Sequence, residues 1–236
     1  MLISVVCDHY SLDPSLSMGP GFSCLVRGQS TVLFDTGAHA RTLLSNLRLL
    51  GTEPRDIDYV VLSHLDSDHI GGLFGMLKES NECTVLVPFS SPPSLRLRIL
   101  SFGAQVKVVF GPSRVCDEVT VSGEMGIWVR EQCLILKTAR GVVAISADTH
   151  PGMPWLLDRV AKLTQGKIHL LLGGLGLEEM QDAKMKSMIQ GIRAAGVEKV
   201  APCHSCGDRS RGMLRQEYAS GYVEAGVGLT IDLDAN

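Results

Sequence analysis

The sequence predicts a mixed α/β (α+β) fold of two β-sheets with helices outside them. Three observations lead there. Short β-branched runs recur along the whole chain, helical segments separate many of them, and other runs follow one another directly as hairpin-like pairs. Helix-separated strands favour parallel neighbours and directly adjacent ones favour antiparallel pairing, so a purely parallel sheet is disfavoured and a mixed arrangement satisfies both signals. At 236 residues and 45% apolar content the chain can bury a full core, and it reads as one domain over 1–236.

Taken in order, the first strand is expected at 2–6, and 23–27 with 31–34 forms a pair around Gly28-Gln29. A helix over 40–50 places Leu43, Leu44, Leu47 and Leu50 on one side. The run Tyr59-Val60-Val61-Leu62 reads as a buried strand, followed by a helix over 70–79, a strand at 84–87, a helix at 93–101 and a strand at 106–109. Further strands are expected at 127–129, 133–138, 141–146, 168–172 and 228–233, and further helices at 153–164, 178–195 and 210–219. No repeat, low-complexity tract or linker interrupts this order.

Bulk properties narrow the function classes. The charged fraction is 20% and the formal charge −3, with both signs interspersed, so there is no basic stripe and nucleic acid is disfavoured as a partner. No apolar run approaches a membrane span, and the start Met1-Leu2-Ile3-Ser4 lacks the basic region and length of a signal peptide, which predicts a cytoplasmic protein without a membrane partner. Seven cysteines, an odd and scattered set, do not make a disulfide framework. Cys203 and Cys206 form the one CxxC pair, weak support for a structural zinc or a redox site.

The chemistry concentrates after Leu62. His64, Asp66, Asp68 and His69 put four metal-ligand side chains within six residues. A helix would scatter them around its axis and a strand would set His69 opposite the rest, so a common centre requires an irregular loop, which Gly71 and Gly72 permit. The competing structural reading makes this a polar loop with Asp68 capping the helix that begins near residue 70.

The segment His64-Leu65-Asp66-Ser67-Asp68-His69 resembles the HxHxDH signature of the metallo-β-lactamase superfamily, with Asp66 where the second histidine usually stands. Four segments agree in order. Leu33-Phe34-Asp35-Thr36-Gly37 resembles the strand and turn before that loop, and Ile145 to Gly152, with Asp148 and His150, resembles the later ligand strand. Ile168 to Leu175 and Val200 to Gly207, with His204, are similar to segments of the dihydropterin ribofuranosylaminobenzene phosphate synthase-like branch. The resemblance implies a four-layer αββα sandwich of two mixed β-sheets, the metallo-β-lactamase fold.

It further implies a site for two divalent ions, in which His64 and Asp66 serve one, Asp68, His69 and His204 the other, and Asp148 bridges. His150 either completes the first ion or contacts substrate. Gly176 departs from the branch, which usually has histidine there, and no histidine stands near Pro88. With Asp66, Asp68, Asp148 and a bridging hydroxide, two divalent ions are balanced to neutrality, which shifts preference from zinc toward manganese or ferrous iron while the imidazoles keep zinc open. Two ions about 3.5–4 Å apart bring the pKa of a shared water toward ~7, so the implied activity is hydrolysis of an ester-type or phosphoester-type small molecule by a metal-bound hydroxide. Asp68 would orient that nucleophile and pass a proton, and Asp35 would hold a ligand histidine in one tautomer.

Alternatives remain. Asp35-Thr36-Gly37 also resembles an aspartic-protease turn, but no second copy occurs to share a proton. HxDxDH is similar to the domain of DNA-uptake competence channels, implying a nuclease or phosphodiesterase, for which Arg209 and Arg211 would have to line a basic groove; a small anionic substrate or a solvated helix start also accounts for them, and the solvated start is preferred. A degenerate, non-enzymatic metal-binding member is the third. His9, His39 and His169 are read as surface or internally satisfied residues.

Overall fold

The computed structural model describes residues 1–235. Its elements in chain order are β1 (Leu2–Cys7), β2 (Ser23–Arg27), β3 (Thr31–Phe34), α1 (Ala40–Leu49), β4 (Tyr59–Val61), α2 (Ser67–Ile70), α3 (Leu73–Glu79), β5 (Thr84–Pro88), α4 (Pro93–Ser101) and β6 (Gln105–Val109). The second half runs β7 (Ser113–Cys116), β8 (Val119–Val121), β9 (Leu134–Thr138), β10 (Gly141–Ser146), α5 (Met153–Thr164), β11 (Ile168–Gly173), α6 (Asp182–Ala194), β12 (Lys199–Pro202), α7 (Asp208–Tyr218) and β13 (Thr230–Asp232).

Both sheets are mixed. One has the order β13-β1-β2-β3-β4-β5-β6, antiparallel as far as β3 and parallel from β3 to β6. The other has the order β12-β11-β10-β9-β8-β7, with β10, β11 and β12 parallel and the rest antiparallel. Strand periodicity divides each run between two faces. Cys24 and Val26 of β2 and Val32 and Phe34 of β3 join Leu134, Leu136, Val143 and Ile145 in the core between the sheets. Leu25 and Leu33 point the other way, against Leu43, Leu44 and Leu47 of α1 and Met76 of α3. On the far side, Ile135, Ala144 and Leu171 pack against Leu156 and Val160 of α5, Ile189 of α6 and Leu214 of α7. The result is a helix–sheet–sheet–helix sandwich, and burial on both faces explains why these strands read as continuous apolar runs. Each buried leucine of α1 contributes about 1.5–3 kcal/mol relative to exposure.

The expected helices at 93–101 and 153–164 fall on α4 and α5 as drawn, whereas 178–195 shortens to α6, which begins at Asp182, and 70–79 divides into α2 and α3. The strand expected at 127–129 is absent. Ile127 and Trp128 are 70% and 96% exposed at the tip of a loop closed by mutual backbone hydrogen bonds between Met125 and Glu131, so an apolar run there reflects surface, not core. Three short strands, β7, β8 and β12, lie where none was expected. No helix among the described residues is long and apolar enough to cross a membrane.

The topology positions the site. β1, β3, β4, β10 and β12 all end on the rim where the two sheets present their carboxyl ends, the usual place for ligands in sheets with parallel strands.

Candidate metal centre

β3 hands the chain to Asp35, which takes a left-handed conformation (φ 56°) and is fully buried. Aspartate tolerates that region better than most side chains, though still at a cost on the order of 1 kcal/mol or more. The turn aims its carboxylate at three groups: Oδ1 accepts the Ser63 N–H (2.7 Å), and Oδ2 accepts the Ser63 hydroxyl (2.6 Å) and lies 2.8 Å from His69 Nδ1. Thr36 donates through its N–H and hydroxyl to the His69 carbonyl (2.7 and 2.9 Å), so both the backbone and the ring of His69 are held. The metal-loop glycines are required by this contact. A Cβ on Gly71 would lie 2.1 Å from the Ala38 carbonyl and one on Gly72 2.2 Å from that of Thr36.

After β4 the chain loops through His64 into the single turn α2. Its N-cap position is Asp66, and no side chain caps it, which removes the reading of this loop as a helix cap with Asp68 in that role. Asp66 and Asp68 instead face the histidines. His64 Nε2 lies 3.5 Å from Asp66 Oδ2 and 3.4 Å from Asp148 Oδ2. His150 Nε2 lies 3.7 Å from Asp66 Oδ2 and 3.4 Å from Asp148 Oδ2. His204 Nε2 lies 3.6 Å from Asp68 Oδ2, 3.2 Å from Asp148 Oδ1 and 3.2 Å from His69 Nε2. His69 Nε2 completes the ring at 3.0 Å from Asp148 Oδ2.

Seven side chains, His64, Asp66, Asp68, His69, Asp148, His150 and His204, therefore converge. They divide into two groups whose donor atoms lie within 4.8 Å of one another, His64 with Asp66 and His150, and Asp68 with His69 and His204. Asp148 touches both groups. Gly176 and Pro88 add no donor, and His150 stands in the first group.

The electrostatics describe an anionic centre seeking positive charge. Burial pushes the Asp148 carboxyl up, but the four imidazoles around it, His150, His204, His64 and His69, outweigh it and hold the group far below the usual carboxylate range. Burial draws His69 down, yet Asp148 and Asp35 carry it up to about 11. The Asp148 contact likewise raises His150 against opposing burial. His64 Nε2 is buried with no hydrogen-bond partner, although an orphaned buried nitrogen is costly. Four imidazoles and three carboxylates make a mixed nitrogen and oxygen donor set of the kind that divalent transition metals take. The residues present fit a divalent metal.

Several site residues gave little sequence signal. Asp8, fully buried after β1, accepts the N–H groups of His9 and His204 at 2.8 Å each through Oδ1. His9, read as a surface or satisfied residue, is exposed but stacks on His204, with ring centroids 5.1 Å apart and the two Nδ1 atoms at 3.3 Å. A β-branched run ending in Asp-His at 8–9 parallels the run ending at Asp35 and could have flagged them. Glu131 had no such cue. Its buried carboxylate accepts the N–H groups of Ala147, Asp148, Thr149 and His150 at 2.9–3.2 Å.

Other expectations resolve simply. His39 is exposed and His169 pairs with Glu198 at 2.9 Å. Asp35 serves His69 and Ser63, and among the described residues no aspartate shares a hydrogen bond with it. Cys203 and Cys206 are buried free thiols, and among the described residues no ligand cluster includes a cysteine. Arg211 overturns its reading as a solvated helix start: it is 5% exposed and donates to the carbonyls of Pro202 and Ala225 and to Glu224, each at 2.7 Å, beneath the Tyr10 ring. It lines no basic groove. Arg209, more exposed, pairs with Asp182. A pocket of about 530 Å³ opens beside Asp148 and His150, walled by Met180, Lys184 and Met188.

Known proteins resemble the chain in sequence and in fold. The family model for the metallo-beta-lactamase superfamily matches residues 17–162. An uncharacterized protein of Methanocaldococcus jannaschii is 46% identical, over 89% of this chain and 93% of its own. The 7,8-dihydropterin-6-methyl-4-(beta-D-ribofuranosyl)-aminobenzene-5'-phosphate synthase of the same organism is 24% identical over 89% of each chain. The crystal structure of a metal-dependent hydrolase of the beta-lactamase superfamily superposes with a TM-score of 0.81 at 24% identity, covering 98% of both chains, a likeness of fold.

Proposed function

Because the chain belongs to the metallo-beta-lactamase superfamily, we propose that it is a hydrolase dependent on two divalent ions, acting on an ester or phosphoester bond of a small molecule. The observation that carries this reading is Asp148, whose carboxylate lies 3.0–3.4 Å from four imidazole nitrogens drawn from three loops. His64, Asp66 and His150 would hold one ion and Asp68, His69 and His204 the other, with Asp148 shared. When bound, such ions supply Lewis acidity toward water and toward a carbonyl or phosphoryl oxygen.

The chain's own residues do the rest. Asp35 Oδ2, by accepting from His69 Nδ1, leaves the Nε2 lone pair of that ring available to an ion, and Ser63 faces His64 Nδ1 at 2.8 Å in the same manner. Asp68 is the catalytic residue: Oδ2 faces His204 at 3.6 Å, while the carboxylate stays partly exposed at the mouth of the site, where Oδ1 takes a proton from the attacking water and returns it to the leaving group. The pocket beside His150 has room for a small molecule, and its methionine walls with Lys184 suit a substrate with an apolar body and an anionic group. Similarity to the synthase supports a small organic substrate over a macromolecule. Its donor set accommodates zinc, manganese or ferrous iron, and the three carboxylates favour the harder ions.

The test is elemental analysis of protein purified without chelator, followed by a panel of phosphodiester, lactone and thioester substrates. Two equivalents of metal with turnover that Asp68→Asn abolishes is the expected result. Less than about one equivalent, unrestored by zinc or manganese, would leave only the non-enzymatic reading. Asp66→His should shift metal preference toward zinc, and an unchanged preference would separate Asp66 from the ion.

A further inference from the structure

The two loops that bring the metal ligands together belong to different sheets, and one dipeptide ties them. Glu131 and Gln132 precede β9 and are 1% and 0% exposed. Glu131 Oε1 accepts the N–H groups of Ala147 (3.2 Å), Asp148 (3.0 Å) and Thr149 (3.1 Å) and the Ser146 hydroxyl (3.2 Å), and Oε2 accepts the His150 N–H (2.9 Å). Both oxygens act only as acceptors, a role that a carboxylate fills and an amide does not. On its other side Gln132 donates from its backbone N–H to the Ser63 carbonyl (3.0 Å) and from Nε2 to the Leu62 carbonyl (2.8 Å). Gln132 Oε1 is left buried without a partner. The Glu131 carboxylate satisfies four N–H groups that would otherwise be unpaired, whereas Gln132, a buried amide with an orphaned oxygen, is a poor choice for stability alone.

What this arrangement does is set a distance. The Leu62–Ser63 end leads directly to His64, and the Ser146–His150 end carries Asp148 and His150. We propose that Glu131 and Gln132 are positioning residues that fix the spacing between His64 and the Asp148–His150 loop, and so control occupancy of the ion held by His64, Asp66 and His150. The other ion shares Asp148 but depends less on this link, because His69 is anchored by Asp35 and Thr36 and His204 by Asp8. The inference rests on the two-ion reading of the site.

Cobalt(II) titration of the chelator-treated full chain tests it, with visible absorption following each binding event and native mass spectrometry counting ions. His150→Ala identifies which event belongs to the first group. In Glu131→Gln and in Gln132→Met that event should weaken by about tenfold to a hundredfold, the usual loss when a partner behind a ligand is removed, while the other event moves less than about threefold. Should Glu131→Gln fail to fold, Gln132→Met decides, because it keeps the bulk and removes the Leu62 bond. Both events unshifted in the variants, or both weakened equally, overturns the positioning role. A wild-type chain that takes a single ion overturns the two-ion reading instead.

Discussion

At Asp35 one buried carboxylate serves a histidine ring, a hydroxyl and a backbone N–H at once. An asparagine there would turn an NH₂ group toward one of three donors. Asp35→Asn should therefore lower metal affinity about tenfold to a hundredfold, measured by competition with a chromophoric chelator, and unchanged affinity would mean that Thr36 alone orients His69. The thiols make a second prediction. Burial pushes Cys7, Cys133 and Cys206 up to about 12. With pKa values raised, the reactive thiolate is scarce at neutral pH and remains scarce until well above pH 9. Iodoacetamide with mass counting should label the folded chain slowly at half-buried Cys116 and at all seven positions only after denaturation. Rapid neutral-pH labelling at Cys203 or Cys206 would reinstate the CxxC reading. The cluster from His64 to His69 was legible because four ligand side chains crowd six residues. Asp8 and His9 left only the cue of a strand end, and Glu131 left none, since a lone glutamate carries no pattern and acquires its role only through contacts made across the fold.

Among the elements, the junction of β12 and α7 sets where His204 emerges. Arg211 reaches back from α7 to the Pro202 carbonyl at the end of β12 and pairs with Glu224. Burial would raise the Glu224 carboxyl, but Arg211 and Arg215 outweigh it and hold it below its ordinary 4.5. A carboxyl depressed in the folded state adds stability that is present above its unfolded pKa and is lost as pH falls through the folded value. Glu224 is half-exposed, so Glu224→Gln should cost at most about 1 kcal/mol near pH 7, with the difference from wild type vanishing in acid, well below the lowered Glu224 value. Urea unfolding at the two pH values checks this, and a difference that persists in acid would assign the loss to packing. Most strands were legible because burial on both faces demands unbroken apolar runs. β8 and β12, with three and four residues and a proline closing β12, fell below that signal, whereas Ile127-Trp128-Val129 imitated it on the surface.

For the whole molecule, the ligands come from both sheets, so a bound ion joins layers that otherwise meet through apolar contact. Ions at a hundred times their dissociation constant add about 2.7 kcal/mol. For a chain of this size that corresponds to a Tm about 5–10 °C higher, and chelation should remove it in a calorimetric scan. A Tm indifferent to chelator and to added metal would argue against ions in this cleft. The division of ligands between sheets also has a consequence in time. His204 lies 135 residues after His69 along the chain. At ribosomal rates of about 5–20 residues per second, on the order of ten seconds separates the appearance of the first ligands from the last. During that interval the second group cannot be complete, because His204 has yet to be made, and the first must wait for His150. If the cleft holds ions as proposed, the second group would select its ion only late in synthesis, from the supply around a nearly finished chain.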